Sequence, residues 1–241
     1  MNYDIIYVLS GGKTGSKTLY ASFKRLYPIT IHTHDASDVI HSTNLGKKIL
    51  IVNSYREPIS RHLSSFFFRF NKTSQRGLLL DMNNFNILRD ILERKLASGD
   101  FFEDYHPLVR FLAHYQKPLV FDTTKKWDFQ ESVLPNVDCL MLRFDQIRKW
   151  QSQIRNVFPR FRLVALNLSE QKEYYPFYKH FKSHYHPSPV LLSTLNRDRD
   201  LLLTYYREEE VLEVLRGLNL KNPDDISLFF HRLVDKSPSS T

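Results

Sequence analysis

The sequence predicts an α/β fold: a single domain with a mainly parallel β-sheet flanked by helices on both faces. Three observations lead there. Short, continuous apolar runs, such as those at residues 4–10 and 47–55, have the length and composition of strands buried on both faces. Stretches of 3.6-residue periodicity alternate with them, which is the pattern of a sheet covered by crossover helices. A glycine-rich turn joins the first strand to the first helix.

The elements follow in order. DIIYVLS (residues 4–10) is the first strand, and Leu19, Phe23 and Leu26 then fall at i, i+4 and i+7 on one helical face. ITIHTH (29–34) is β-branched and reads as a second strand, with KKILIVNSY (47–55) as a more apolar third. Pro58 suits the first turn of a helix. Ile59, His62, Leu63, Phe66, Phe67 and Phe70 recur along one side of that helix. NNFNILRDILERKLASG (83–99) predicts a helix capped by Gly99. PLVFD (118–122), CLMLRF (139–144) and RLVALNL (162–168) predict strands, and REEEVLEVLRG (207–217) predicts a last helix ending at Gly217. No repeat or linker divides the chain, so residues 1–235 are expected as one domain and 236–241 as a flexible tail.

At 241 residues the chain suits one sizeable domain and is short for two. With 42% hydrophobic and 25% charged residues it falls in the globular class and outside the disordered one. One cysteine, Cys139, excludes a disulfide framework and fits a reducing compartment. No run reaches the ~18 apolar residues of a membrane helix, and the first residues lead straight into a strand without a signal-peptide pattern. A cytoplasmic protein without a transmembrane segment is expected. The net charge of +8 favours an anionic ligand. Nucleic acid is not expected, because no lysine–arginine stripe with interleaved aromatics is present. KHFKSHYHPS (179–188) groups His180, His184 and His186 with two lysines. It lacks a matching acid or cysteine pattern, so it reads as basic surface and no metal is expected.

The loop SGGKTGSKTLY (10–20) carries most of the chemistry. Its glycines let successive N–H groups face one anion, and the following helix adds its positive end. The ATP loop G-x-x-x-x-G-K-[ST] nearly fits from Gly11, with Lys17 and Thr18 in place, which makes the sheet P-loop-type. Ser16, however, stands where the last glycine belongs. A second register reads Lys13-Thr14-Gly15-Ser16-Lys17-Thr18, or K-x-G-[ST]-x-x. Further on, Arg56 ends the third strand and Ser64 follows eight residues later, off the apolar stripe of its helix. Parallel sheets hold ligands at the carboxyl ends of their strands. That rule gathers the loop, the end of IHTH and the end of VNSYRE on one rim.

That second register, with Arg56 and Ser64, resembles the sulfotransferases that use 3′-phosphoadenosine-5′-phosphosulfate (PAPS). KKWDFQESVLP, DCLMLRFDQI and LLTYYREEEVLEVL are similar to later segments of the bacterial, capsular-polysaccharide-type members, so the likeness runs in order through most of the chain. The resemblance implies that Lys13 faces the leaving group. It implies that Thr14, Gly15, Ser16, Lys17 and Thr18 hold the 5′-phosphate, and that Arg56 and Ser64 hold the 3′-phosphate of PAPS or of its product, 3′,5′-adenosine bisphosphate. His32-Thr33-His34 occupies the place of a lysine-threonine-histidine triplet in the cytosolic members, which makes His34 the catalytic base. The heparan-type members use a glutamate, and Asp35 is the corresponding alternative. An imidazole suits base catalysis near neutral pH. Because the two histidines alternate along a strand, only His34, nearer the carboxyl end, is expected at the rim.

The implied function is sulfuryl transfer from PAPS to a hydroxyl, on a carbohydrate by the capsular resemblance, with no metal required. Thr18 stands where some members carry an adenine-stacking tryptophan, so the adenine contacts stay unassigned. Two other classes remain open: an ATP- and magnesium-dependent P-loop kinase with Asp145 as metal carboxylate, and a non-enzymatic basic anion-binding module.

Overall fold

The computed structural model describes residues 2–98, 106–164, 166, 171–186 and 199–217. They fall into two compact units, Met1–Ser65 with Phe102–Lys172, and Phe66–Phe101 with Glu173–Thr241.

The first unit is α/β, built on a five-stranded sheet. Its strands are β1 (Ile5–Leu9), β2 (Thr30–Thr33), β3 (Ile49–Tyr55), β4 (Trp127–Leu134) and β5 (Val137–Arg143), in the spatial order β2-β1-β3-β5-β4. Strands β1, β2, β3 and β5 run parallel, and β4 pairs antiparallel with β5. Every residue of β3 is buried, as its unbroken apolar run requires. From β1 the chain passes through α1 (Ser16–Lys24) to β2 on one side, then through α2 (Ala36–Asn44) to β3 on the other. With right-handed crossovers, this reversal sends α1 and α2 to opposite faces.

The side chains agree. Ile6, Val8, Leu50, Val52, Leu140 and Leu142 share one face with Leu19 and Phe23 of α1 and with Trp150 and Ile154. The two last belong to α6 (Trp150–Arg155). On the opposite face Tyr7 and Ser42 of α2 share a hydroxyl–hydroxyl hydrogen bond of 2.7 Å. Helix α5 (Pro107–His114) packs on α2, where the Tyr115 hydroxyl donates to Asn44 Oδ1 at 2.9 Å. Reversal of strand order beside β1 creates the crevice at which such sheets bind ligands.

Helix α3 (Pro58–Phe70) begins as expected at Pro58 and buries Ile59, His62, Leu63, Phe66, Phe67 and Phe70. The second unit is helical and aromatic. It contains α4 (Phe85–Ser98), α7 (Tyr175–His184), α8 (Arg199–Tyr205) and α9 (Glu208–Gly217). Phe67 packs against Phe177 and Phe181, and Phe181 stacks on Tyr185 with ring centroids 5.2 Å apart. The Tyr185 hydroxyl donates to Glu93, and burial with this carboxylate partner pushes the phenol well above its ordinary range.

One expected strand is absent, and the described part of another is not a strand. Residues 118–122 are irregular, and Val120 is 57% exposed, because the edge of the sheet is taken by the Trp127–Leu134 strand instead. There Trp127 and Phe129 alternate with polar residues and pack on the core. The described residues of 162–168 form no strand either. Their backbone donors go to side chains rather than to a ladder: Leu163 N–H to Gln151 and Val164 N–H to Ser22 Oγ, at 3.1 and 2.9 Å. The Gly99 cap and the 236–241 tail lie outside the described residues. Among the described residues no helix is long and apolar enough to cross a membrane. Cys139 is buried, and burial raises its thiol pKa out of the reactive range.

Candidate anion-binding site

The loop between β1 and α1 is held from below by β3. Asn53 Nδ2 donates to the Leu9 carbonyl at 2.7 Å, and Ser54 Oγ donates to the Thr14 carbonyl at 2.9 Å. Thr14 is buried and its hydroxyl donates to the Gly11 carbonyl at 2.8 Å, closing the turn on itself. Lys13 is left-handed with φ 65°, a conformation its surroundings must enforce. One such restraint is visible: Arg56 Nη1 donates to the Lys13 carbonyl at 3.2 Å.

Gly15 caps α1 with φ 83°, and the space beside its Cα is closed. A Cβ there would lie 2.7 Å from Trp150 Cη2 and 3.3 Å from Phe144 Cε2. Trp150 is fully buried and its indole N–H donates to the Arg143 carbonyl at 2.9 Å, so the ring is fixed. The Arg56 guanidinium lies over Phe144, 4.5 Å from its centroid. Phe144, which follows β5, thereby supports both the loop and the arginine.

Helix α1 starts with Ser16, buried, and Lys17, exposed. The Thr18 N–H already bonds the Gly15 carbonyl at 3.0 Å, so it offers less to an anion than expected. The amides of Gly15, Ser16 and Lys17 precede it at the helix start, where intrahelical acceptors are lacking. Buried Thr18 is also engaged through its hydroxyl, with the Leu166 carbonyl at 3.4 Å. Lys172 belongs here too: burial lowers its pKa and the neighbouring charge of Lys17 lowers it further. Positive charge gathered at the helix start favours an anion beside it.

Both histidines of β2 and its exit touch the loop. His32 Nε2 lies 2.9 Å from Ser16 Oγ. This corrects the expectation that only His34 reaches the rim. Val8 pairs with His32, so His32 faces the side covered by α1, and α1 brings its first residue down to it. Burial, then His34 and Lys17, hold the His32 pKa below the ordinary histidine value. His34 Nδ1 bonds the Ser10 carbonyl. A carbonyl only accepts, so Nδ1 is the donor there, and in the neutral form of such an imidazole the lone pair lies on Nε2. The two rings meet edge to face at 4.8 Å.

Asp35 has a different occupation. It caps α2, accepting the Ser37 N–H at 2.9 Å, and that bond lowers its carboxyl pKa and weakens it as a base. Ser64 lies six residues into α3, about 9 Å along the axis from Pro58. It is half-buried, the first residue to open toward solvent after the buried stretch 57–63. Asp145 forms a two-pronged pair with Arg143, at 3.0 and 2.8 Å, and also accepts from Gln146 at 2.7 Å.

No protein-family model, curated protein or solved structure matches this chain. The geometry therefore stands alone.

The His180 and His184 rings lie tilted against each other on α7 with centroids 4.2 Å apart, and His184 Nδ1 faces the His180 carbonyl. Among the described residues no group of three or more His, Cys, Asp or Glu side chains is arranged to hold a metal ion. Sequence reasoning missed His32, Ser54, Trp150 and Lys172. Alternation in IHTH carried a signal for His32, whereas Trp150 is brought to the loop by long-range packing, and Lys172 within reach of the Lys17 charge, in ways that no local pattern announces.

Proposed function

We propose that this chain is a PAPS-dependent sulfotransferase acting on a hydroxyl acceptor of carbohydrate type. One observation carries the reading: the Arg56–Lys13 hydrogen bond joins two candidate phosphate-binding motifs 43 residues apart in sequence. The second cation-and-hydroxyl pair is what an ATP loop alone leaves unexplained. Asp145, the carboxylate an ATP–magnesium site would need, is occupied by Arg143.

The donor supplies a sulfuryl group already activated on a phosphate oxygen. The chain's residues then have separable tasks. Gly15 to Lys17 offer amides and the Ser16 hydroxyl to the 5′-phosphate, with Lys17 and Lys172 adding charge. Lys13 opposes the charge that grows on the leaving oxygen, the electrostatic part of such transfers. Arg56 and Ser64 take the 3′-phosphate, the guanidinium offering a planar fork. His34 receives the acceptor proton at Nε2.

Thermal unfolding tests the reading. A hundredfold excess of 3′,5′-adenosine bisphosphate over its Kd stabilises by about 2.7 kcal/mol, or roughly 5–10 °C for a chain of this size. Arg56→Ala is expected to weaken binding about 10- to 100-fold, and Ser64→Ala to weaken it less. A shift with ATP and magnesium but none with the bisphosphate overturns the proposal in favour of a kinase.

A further inference from the structure

Ser16 faces a conflict of hydrogen bonding. Its hydroxyl has one hydrogen, and a bound phosphate needs that hydrogen. In the structure Ser16 Oγ is 2.9 Å from His32 Nε2. If Nε2 carries a lone pair, the serine hydrogen points at the imidazole and only oxygen lone pairs face the loop, which repel an anion. If Nε2 carries a proton, as it does in one neutral tautomer and always in the imidazolium, it donates to Ser16 Oγ and the serine hydrogen is released.

We propose that His32 is a positioning residue that takes up a proton when the phosphate binds, donating from Nε2 to Ser16 Oγ and turning the serine's own hydrogen toward the anion. The inference rests on the sulfotransferase reading for the identity of the ligand and extends it to a proton-linked affinity. The surroundings of His32 fit the role. Helix α1 presents Lys17 and the Tyr20 ring, 6.0 Å away, while β1 presents apolar Val8 and the strand exit presents His34. None of those neighbours is anionic, and burial first, then His34 and Lys17, hold the pKa of the unliganded ring below the ordinary histidine value. A dianion beside Ser16 reverses the balance and raises the His32 pKa. Between the two values one proton enters from solvent with the ligand, so affinity rises as pH falls.

The test is isothermal titration of the chain with 3′,5′-adenosine bisphosphate in buffers of different ionisation enthalpy, from pH 8 to pH 6. The phosphates titrate themselves near pH 6, so wild type is compared with His32→Gln, in which that contribution is identical. Glutamine offers Ser16 a donor that does not titrate. The wild type is expected to take up more protons than the variant, and its affinity relative to the variant's to rise about 3- to 10-fold toward pH 6. A second measurement needs no folded variant: the His32 Cε1–H proton resonance of the wild type titrates at higher pH with ligand than without. Binding with equal proton uptake and an unmoved His32 titration overturns this inference alone. Absence of bisphosphate binding overturns the sulfotransferase reading and the inference with it.

Discussion

His34→Ala is expected to lower the rate of sulfate transfer by about 10²–10⁴-fold, the usual contribution of a positioned general base, while bisphosphate binding survives. The split follows from the ring's two nitrogens. Nδ1 is committed to the Ser10 carbonyl, which fixes the ring and leaves Nε2 as a proton acceptor. The alanine removes the acceptor and leaves the amides, lysines and Arg56 in place. Asp35→Ser is the counterpart. Serine preserves the α2 cap that Asp35 provides through Ser37, so transfer is expected near the wild-type rate. The measurement is transfer of labelled sulfate from PAPS to the acceptor that a glycan and small-molecule screen identifies. Full activity in His34→Ala together with lost activity in Asp35→Ser would hand the base to the carboxylate.

Gly15→Ala is expected to produce the largest loss of stability of any single-methyl change in the loop. A non-glycine residue at φ 83° carries a left-handed cost of about 1–2 kcal/mol. The new Cβ also meets Trp150 at 2.7 Å, and forced overpacking of this kind costs about 1–3 kcal/mol. Trp150 has no easy retreat, being fully buried and tied to the Arg143 carbonyl. The sum, roughly 2–5 kcal/mol, corresponds to a fall in Tm of roughly 4–20 °C. Gly12→Ala is the control. Nothing lies within 4 Å of its Cβ position and its φ is not positive, so its Tm is expected to change little or rise slightly. Equal losses in the two variants would show that the Trp150 support is not what holds the loop.

The same Trp150 contact separates what local sequence reports from what it conceals. K-x-G-S predicts an anion loop from glycine spacing and a following helix, which are local properties. Arg56 and Ser64 are picked out together for a similar reason: strand end, Pro58 and helix lie within nine residues of one another. The ring beneath Gly15 comes from 135 residues further along, and no periodicity encodes that distance. PLVFD misled because its apolar content matches a strand, although the sheet edge went to a segment whose alternation was weaker in composition but complete in pairing.

The sequence by itself determined the parallel α/β sheet, the loop after its first strand and three cations beside it, Lys13, Lys17 and Arg56. Those depend on residue order over a few turns or one strand. Only the tertiary structure decided what surrounds the loop. It set His32 against Ser16 at 2.9 Å, gave the His34 lone pair to Nε2, turned Asp35 into a helix cap and locked Arg56 between Phe144 and the Lys13 carbonyl. Each of these depends on which strands are neighbours and which face a helix covers, and strand order is fixed by packing of the whole sheet rather than by any one segment of it.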